Sequence, residues 1–139
     1  MGILTGNKTK LQLGKETTWG TSVNATQEYA FFSEKFNEKR EKKTEGVIVG
    51  SKGEPASYTT KINVDGSFSC LLRPDDAGYL IGGALGSEGT VTTVGTNGKK
   101  HTFTALSMTE TSSLPSFTVK IDRVADVFIY SGCKIEELK

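Results

Sequence analysis

Apolar and polar positions alternate most clearly over residues 58–72, "YTTKINVDGSFSCLL". The even positions carry Tyr58, Thr60, Ile62, Val64, Gly66, Phe68, Cys70 and Leu72, and the odd ones Thr59, Lys61, Asn63, Asp65, Ser67, Ser69 and Leu71. A period of two with one mostly apolar face predicts a β-strand. Asp65-Gly66 is a strong signal for a two-residue hairpin turn. Such a turn would pair Val64 with Ser67 and Asn63 with Phe68, dividing the apolar side chains between both faces. A continuous strand keeps them together, so one long strand with a bend or bulge at Gly66 is favoured. A longer hairpin loop around the same residues is the alternative.

The pattern changes at "PDDAGYLIGGALG". Pro74 ends the strand and opens a helix that Asp75 or Asp76 can cap. Tyr79, Leu80, Ala84 and Leu85 fall at helical spacing, and Gly86 supplies the stop. Gly82-Gly83 weakens such a helix, which must then be held by packing. Further on, Asn97-Gly98 predicts a turn between strands at 90–94 and 100–106. Phe117, Val119 and Ile121 alternate with Thr118 and Lys120. Residues 127–130, "VFIY", read as buried on both faces, and Cys133 and Ile135 continue a last phase. Upstream, residues 29–36 read as a strand. Short β-branched runs with Gly, Ser and Thr between them predict a mainly β domain with one helix.

Residues 34–45, "EKFNEKREKKTE", mix both charge signs, which limits repulsion. A helix is possible, with Glu38 and Lys42 four apart; a charged hairpin arm is preferred. Val47, Ile48 and Val49 follow between glycines, and a branched apolar triplet on an arm must bury somewhere.

Composition narrows the classes. The 139 residues suit one domain, with a hydrophobic content of 35% and a mean hydropathy of −0.31. The net charge of +1 gives no basic excess for gripping phosphates. There is no run of about 18 apolar residues to span a bilayer, and the first sixteen residues lack the apolar run of a secretion signal. Cys70 and Cys133 are therefore expected to be reduced, and with the single His101 they make no metal-ligand spacing.

Catalytic chemistry finds little to stand on. His101 lies in "KKHTFT", inside an expected strand, and no serine sits in a nucleophile elbow. Asp75-Asp76 is better explained as a helix start than as a carboxylate pair. "GTNGKK" lacks the spacing of a phosphate-binding loop. Lys99-Lys100 has no aromatic-basic platform around it. No cofactor and no catalytic residue is expected.

That leaves "GKETTWGTSVNAT", which holds the sole tryptophan, Trp19, among polar residues, with Val23 nearby. Trp19 is either a lid over one end of the core or an anchor into a neighbouring subunit, for which tryptophan is favoured.

The segments "LGKETTWGTSV", "PDDAGYLIGGALG", "HTFT", "LPSFTV" and "GCKIEEL", in this order and spacing, cover nearly the whole chain. Together they resemble the tail tube (major tail) proteins of long-tailed bacteriophages and prophages. The resemblance implies a β-sandwich with one flanking α-helix and a long projecting hairpin loop. It also implies hexameric rings stacked into a hollow tube in the virion tail, assembled in the host bacterial cytoplasm. DNA passes through the lumen without specific binding. The tape-measure protein and a tail terminator are the implied partners; no membrane is involved. An N-terminal arm over 1–28 and a domain over 29–139 follow. Trp19 and Val23 then fall in the arm, and Val47, Ile48 and Val49 in or beside the long loop, all five as subunit-interface residues. Family members continue past a "GCKIEEL"-like strand while this chain stops at Lys139, so a sandwich truncated at its C-terminus and a short natural variant are both open. Two other functions compete: another phage particle component such as a capsid decoration protein, and a β-sandwich carbohydrate-binding module, which would want several aromatics on one face.

Overall fold

The computed structural model describes residues 8–44, 50, 57–88, 91–107 and 113–139. Val47, Ile48 and Val49 lie outside them. Among the described residues ten strands and one helix run in the order β1 (Lys10–Lys15), β2 (Gln27–Tyr29), β3 (Phe31–Thr44), β4 (Ser57–Cys70), α1 (Pro74–Leu85), β5 (Gly86–Glu88), β6 (Thr92–Val94), β7 (Gly98–Lys100), β8 (Phe103–Ala105), β9 (Phe117–Asp122) and β10 (Val127–Cys133). The chain is mainly β with one helix among the described residues. It divides into two compact units, one made of Met1–Phe31 with Cys70–Lys139 and the other of Phe32–Ser69.

The first unit is built on an antiparallel sheet in the order β10-β9-β1-β2. Pairing aligns Tyr29, Leu11, Ile121 and Phe128 in one row and Leu13, Val119 and Tyr130 in the next. Because successive side chains alternate across a strand, these rows share one face. Leu11 and Ile121 are completely buried there, with Leu13, Val119, Phe117 and Tyr29 nearly so. Each such side chain contributes about 1.5–3 kcal/mol by leaving water. Of the stretch 1–28, then, Lys10–Lys15 forms an inner strand of this sheet, and Gln27 opens β2.

The helix lies on the same face. Leu80 is buried, and the Tyr79 and Phe117 rings meet at 6.1 Å. Gly82 and Gly83 are buried too, which explains two poor helix formers in its middle. A Cβ on Gly83 would fall 2.7 Å from Phe117 Cε2 and 2.8 Å from Ile135 Cδ1. Gly86 ends the helix with φ 106°, its N–H donating to the Gly82 carbonyl. The start differs from expectation. Arg73 is the N-cap residue, extended and without a side-chain cap, and Pro74 fills the first turn. Asp76 turns inward and accepts a hydrogen bond from Gln27 Nε2, while its own carbonyl accepts from the Tyr29 hydroxyl. Burial, then the charge of Asp76, raises the pKa of the Tyr29 phenol. The phenol thus stays a donor.

Other expectations shift in detail. The turn occupies residues 95–97, with Gly95 at φ 66° and Gly98 already in β7 opposite Val94. His101 lies between β7 and β8, outside any strand. Residues 127–130 are half-buried on one face, through Phe128 and Tyr130, and exposed on the other, where Val127 and Ile129 are 53% and 56% exposed. Their strand is outermost, and their neighbours across that face are Asp122 and Lys120. Cys133 ends β10, and Ile135 packs beyond it, against the helix, without extending the strand.

The second unit is the pair β3–β4, each strand 14 residues long. β4 runs unbroken through Asp65-Gly66, as its alternation predicts. Contacts fix the direction: Ser33 meets Ser69, Lys39 meets Asp65, and Thr60 Oγ1 donates to the Glu41 carbonyl. Rising numbers on one strand meet falling ones on the other, so the pair is antiparallel. Gly66 has a reason of its own. A Cβ there would lie 2.3 Å from Phe36 Cδ1, so the missing side chain is the space that the Phe36 ring occupies.

Candidate subunit interface

Of the places where apolar side chains lie outside the core, two follow directly from the local sequence. The first is the β3–β4 pair. Even-numbered residues of both strands share a face, because Phe36 lies over Gly66 and stacks on Phe68 at 6.5 Å. That face carries Phe32, Phe36, Ile62, Val64 and Phe68, together with Glu34, Glu38, Arg40 and Lys42 along β3. The opposite face carries Ser33, Lys35, Asn37 and Lys39 with Lys61, Asn63, Asp65, Ser67 and Ser69. Phe32 is 76% exposed and Ile62 56%. A two-stranded ribbon by itself is marginally stable in water. Residues 34–44 of the charged stretch thus lie in a strand of an antiparallel pair and not in a helix; the connection between the two strands lies largely outside the described residues.

The second arrangement surrounds Trp19. After β1 the chain turns at residues 18–21, where Thr21 N–H donates to the Thr18 carbonyl at 3.1 Å. Gly20 takes φ 78° at the third position of this turn, where a side chain would be strained. Trp19 at the second position is pushed outward and is 71% exposed. Its indole edge is nevertheless fixed: Nε1 donates to the Gly132 carbonyl at 3.2 Å. Gly132 sits in β10 where the register shifts between Tyr130 and Cys133, with φ 73°. Trp19 is therefore no lid over the core. Val23, the other residue expected here, is half-buried. Its N–H donates to Thr118 Oγ1 at 3.1 Å, and its Cγ2 lies where it would touch a Cβ on Gly14.

Beneath this loop sits Glu16, which the sequence did not single out. The residue is 7% exposed. Oε2 accepts from Gly20 N–H at 2.9 Å and from Ser116 Oγ at 2.7 Å. Oε1 accepts from Thr118 Oγ1 and from Gly132 N–H, both at 2.8 Å. Burial alone would raise its pKa. The Gly132 N–H, the two hydroxyls and the Gly20 N–H outweigh burial and hold it below the ordinary 4.5. Nothing local announces this role, since Ser116, Thr118 and Gly132 lie about a hundred residues away in the chain.

A pH dependence follows. A carboxylate with a lowered folded pKa adds stability that is complete above its unfolded value and disappears as pH falls through the folded one. The stability difference between wild type and Glu16→Gln, measured by urea melts, should be constant above pH 4.5 and close below it. The Cys133 thiol, raised by burial and then by the Glu16 charge, stays neutral throughout that range. A difference that closes above pH 4.5 would contradict this assignment.

For chemistry the described residues offer less. No group of three or more His, Cys, Asp or Glu side chains is placed to hold a metal ion. Both cysteines are free, and burial followed by the charge of Asp76 raises the Cys70 thiol. Asp75 and Asp76 start the helix, and His101 is on the surface. No described helix is long and apolar enough to cross a membrane.

The described residues thus form a mainly β scaffold that leaves several aromatic and branched side chains exposed. The chain is a member of the phage tail tube protein family, whose model matches residues 6–139, nearly the whole sequence. Membership makes it a component of the virion tail. Comparison with curated proteins and with solved structures gave no match.

Proposed function

We propose that the protein is the repeating subunit of the tail tube, associating with itself into hexameric rings that stack into the conduit for DNA. It performs no catalysis. The observation that carries this reading is the exposure of Phe32 and Ile62 on one face of β3–β4. Exposed apolar side chains of that kind are what a neighbouring copy covers. Heterologous contacts of this sort close into rings when the rotation closes and stack into filaments when the ring faces match. Interspersed charges of both signs along β3 set register between neighbours. A second β layer completing a sandwich is part of the same proposal. So are Val47, Ile48 and Val49 as subunit contacts. The tape-measure protein inside the lumen, a terminator at its end, and assembly in the host cytoplasm complete the picture.

Sedimentation velocity on the full chain tests it. Oligomers in multiples of six are expected to replace the 15.0 kDa monomer as concentration rises. A chain that stays monomeric at all concentrations contradicts the proposal.

A further inference from the structure

We infer that Glu16 is the positioning residue for Trp19, fixing the exposed indole in one orientation against which a second copy of the chain docks. The inference rests on the tail tube reading for the identity of the partner, and on geometry for the rest. An exposed tryptophan on a free loop would lose its orientational freedom on docking and weaken the contact accordingly. Trp19 does not hang free. Both backbone groups of Gly132 are used by this loop: the N–H by Glu16 at 2.8 Å and the carbonyl by Trp19 at 3.2 Å. The residue after Trp19, Gly20, donates its N–H to the same carboxylate. Glu16 thus grips the turn on one side of Trp19 and the β10 bulge on the other, and the indole bridges them. Thr118 extends the hold, donating to Glu16 and accepting from Val23 N–H.

The chemistry needs a carboxylate. Hydroxyls of Ser116 and Thr118 can rotate to act as acceptors, but the N–H groups of Gly20 and Gly132 cannot. In Glu16→Gln, whichever way the amide turns, its NH₂ faces one of those two backbone donors. The loop should then release while the sheet core of Leu11, Val119 and Ile121 stays intact.

Because Trp19 is the sole tryptophan, its fluorescence anisotropy reports on this site alone. Glu16→Gln is expected to lower the anisotropy of the isolated chain with its far-ultraviolet circular dichroism unchanged. It should also raise the concentration needed for assembly at least about tenfold, the scale of an anchor lost from an interface. Trp19→Ala should raise it equally, and adding Glu16→Gln to Trp19→Ala should change nothing further, as for two residues acting through one contact. Thr118→Val, which keeps the shape and removes one hydroxyl, should show the same effects in weaker form and covers the case in which Glu16→Gln fails to fold. Wild-type anisotropy in both variants overturns the positioning role. Additive losses in the double variant overturn the link to docking. A wild-type chain that never associates overturns the docking half together with the tail tube reading, while the anisotropy comparison still decides whether Glu16 holds Trp19.

Discussion

Replacing Phe32 and Ile62 together by serine should abolish assembly and leave the melting of the single chain almost unchanged. The two halves of this result come from one fact. Both side chains are already mostly in water in the isolated chain, at 76% and 56% exposure. Removing them forfeits little on folding, about 0.5 kcal/mol or less each for an exposed site. In an assembly that covers the β3–β4 face, each would contribute about 1.5–3 kcal/mol by leaving water. Losing both should therefore weaken association by about two to four orders of magnitude at 1.4 kcal/mol per tenfold. Light scattering against concentration reads the midpoint of assembly, and a urea melt at low concentration reads the chain alone. Changing Lys61 on the polar face to serine is the control, with an expected shift under about threefold. Assembly that survives the double substitution would show that another surface carries the contact.

The second large effect concerns folding. Gly83→Val should destabilise the chain by about 1–3 kcal/mol or more. Propensity alone argues the other way, since most residues favour helix over glycine by a few tenths to about 1 kcal/mol. Contact decides the sign. The new Cβ would stand 2.7 Å from Phe117 and 2.8 Å from Ile135, and Phe117 is too buried to give way, at 3% exposure. The helix would have to lift from the sheet, uncovering Leu80 and Tyr29. A urea melt giving equal or higher stability for Gly83→Val would mean that the helix does not sit so closely on β9.

The readings that survived depend on local periodicity. β4 is legible because seven alternating pairs outweigh one turn dipeptide, and the Phe36 ring over Gly66 explains why the dipeptide is there. β9 is legible from Phe117, Val119 and Ile121, and α1 from Pro74 and Gly86, which act within a few residues. Where the deciding partner is distant in sequence, the reading fails. Asp76 looks like a cap, but Gln27 and Tyr29 draw it inward. Val127 and Ile129 look like core, but pairing places β10 at the edge. Glu16 looks like any surface acid, because its four donors come from residues 20, 116, 118 and 132. The tryptophan sits between these cases. Its polar neighbours leave lid and anchor both open, and the hydrogen bond that orients it depends on a bulge far along the chain.

The family match settles the competition between a tail tube protein, a capsid decoration protein and a carbohydrate-binding module in favour of the first. Self-assembly is the claim on which the rest depends, and negative-stain electron microscopy of the full-length protein tests it most directly. Hollow rings with six-fold averages, or tubes built from them, are the predicted result. Uniform small particles at every concentration would contradict it.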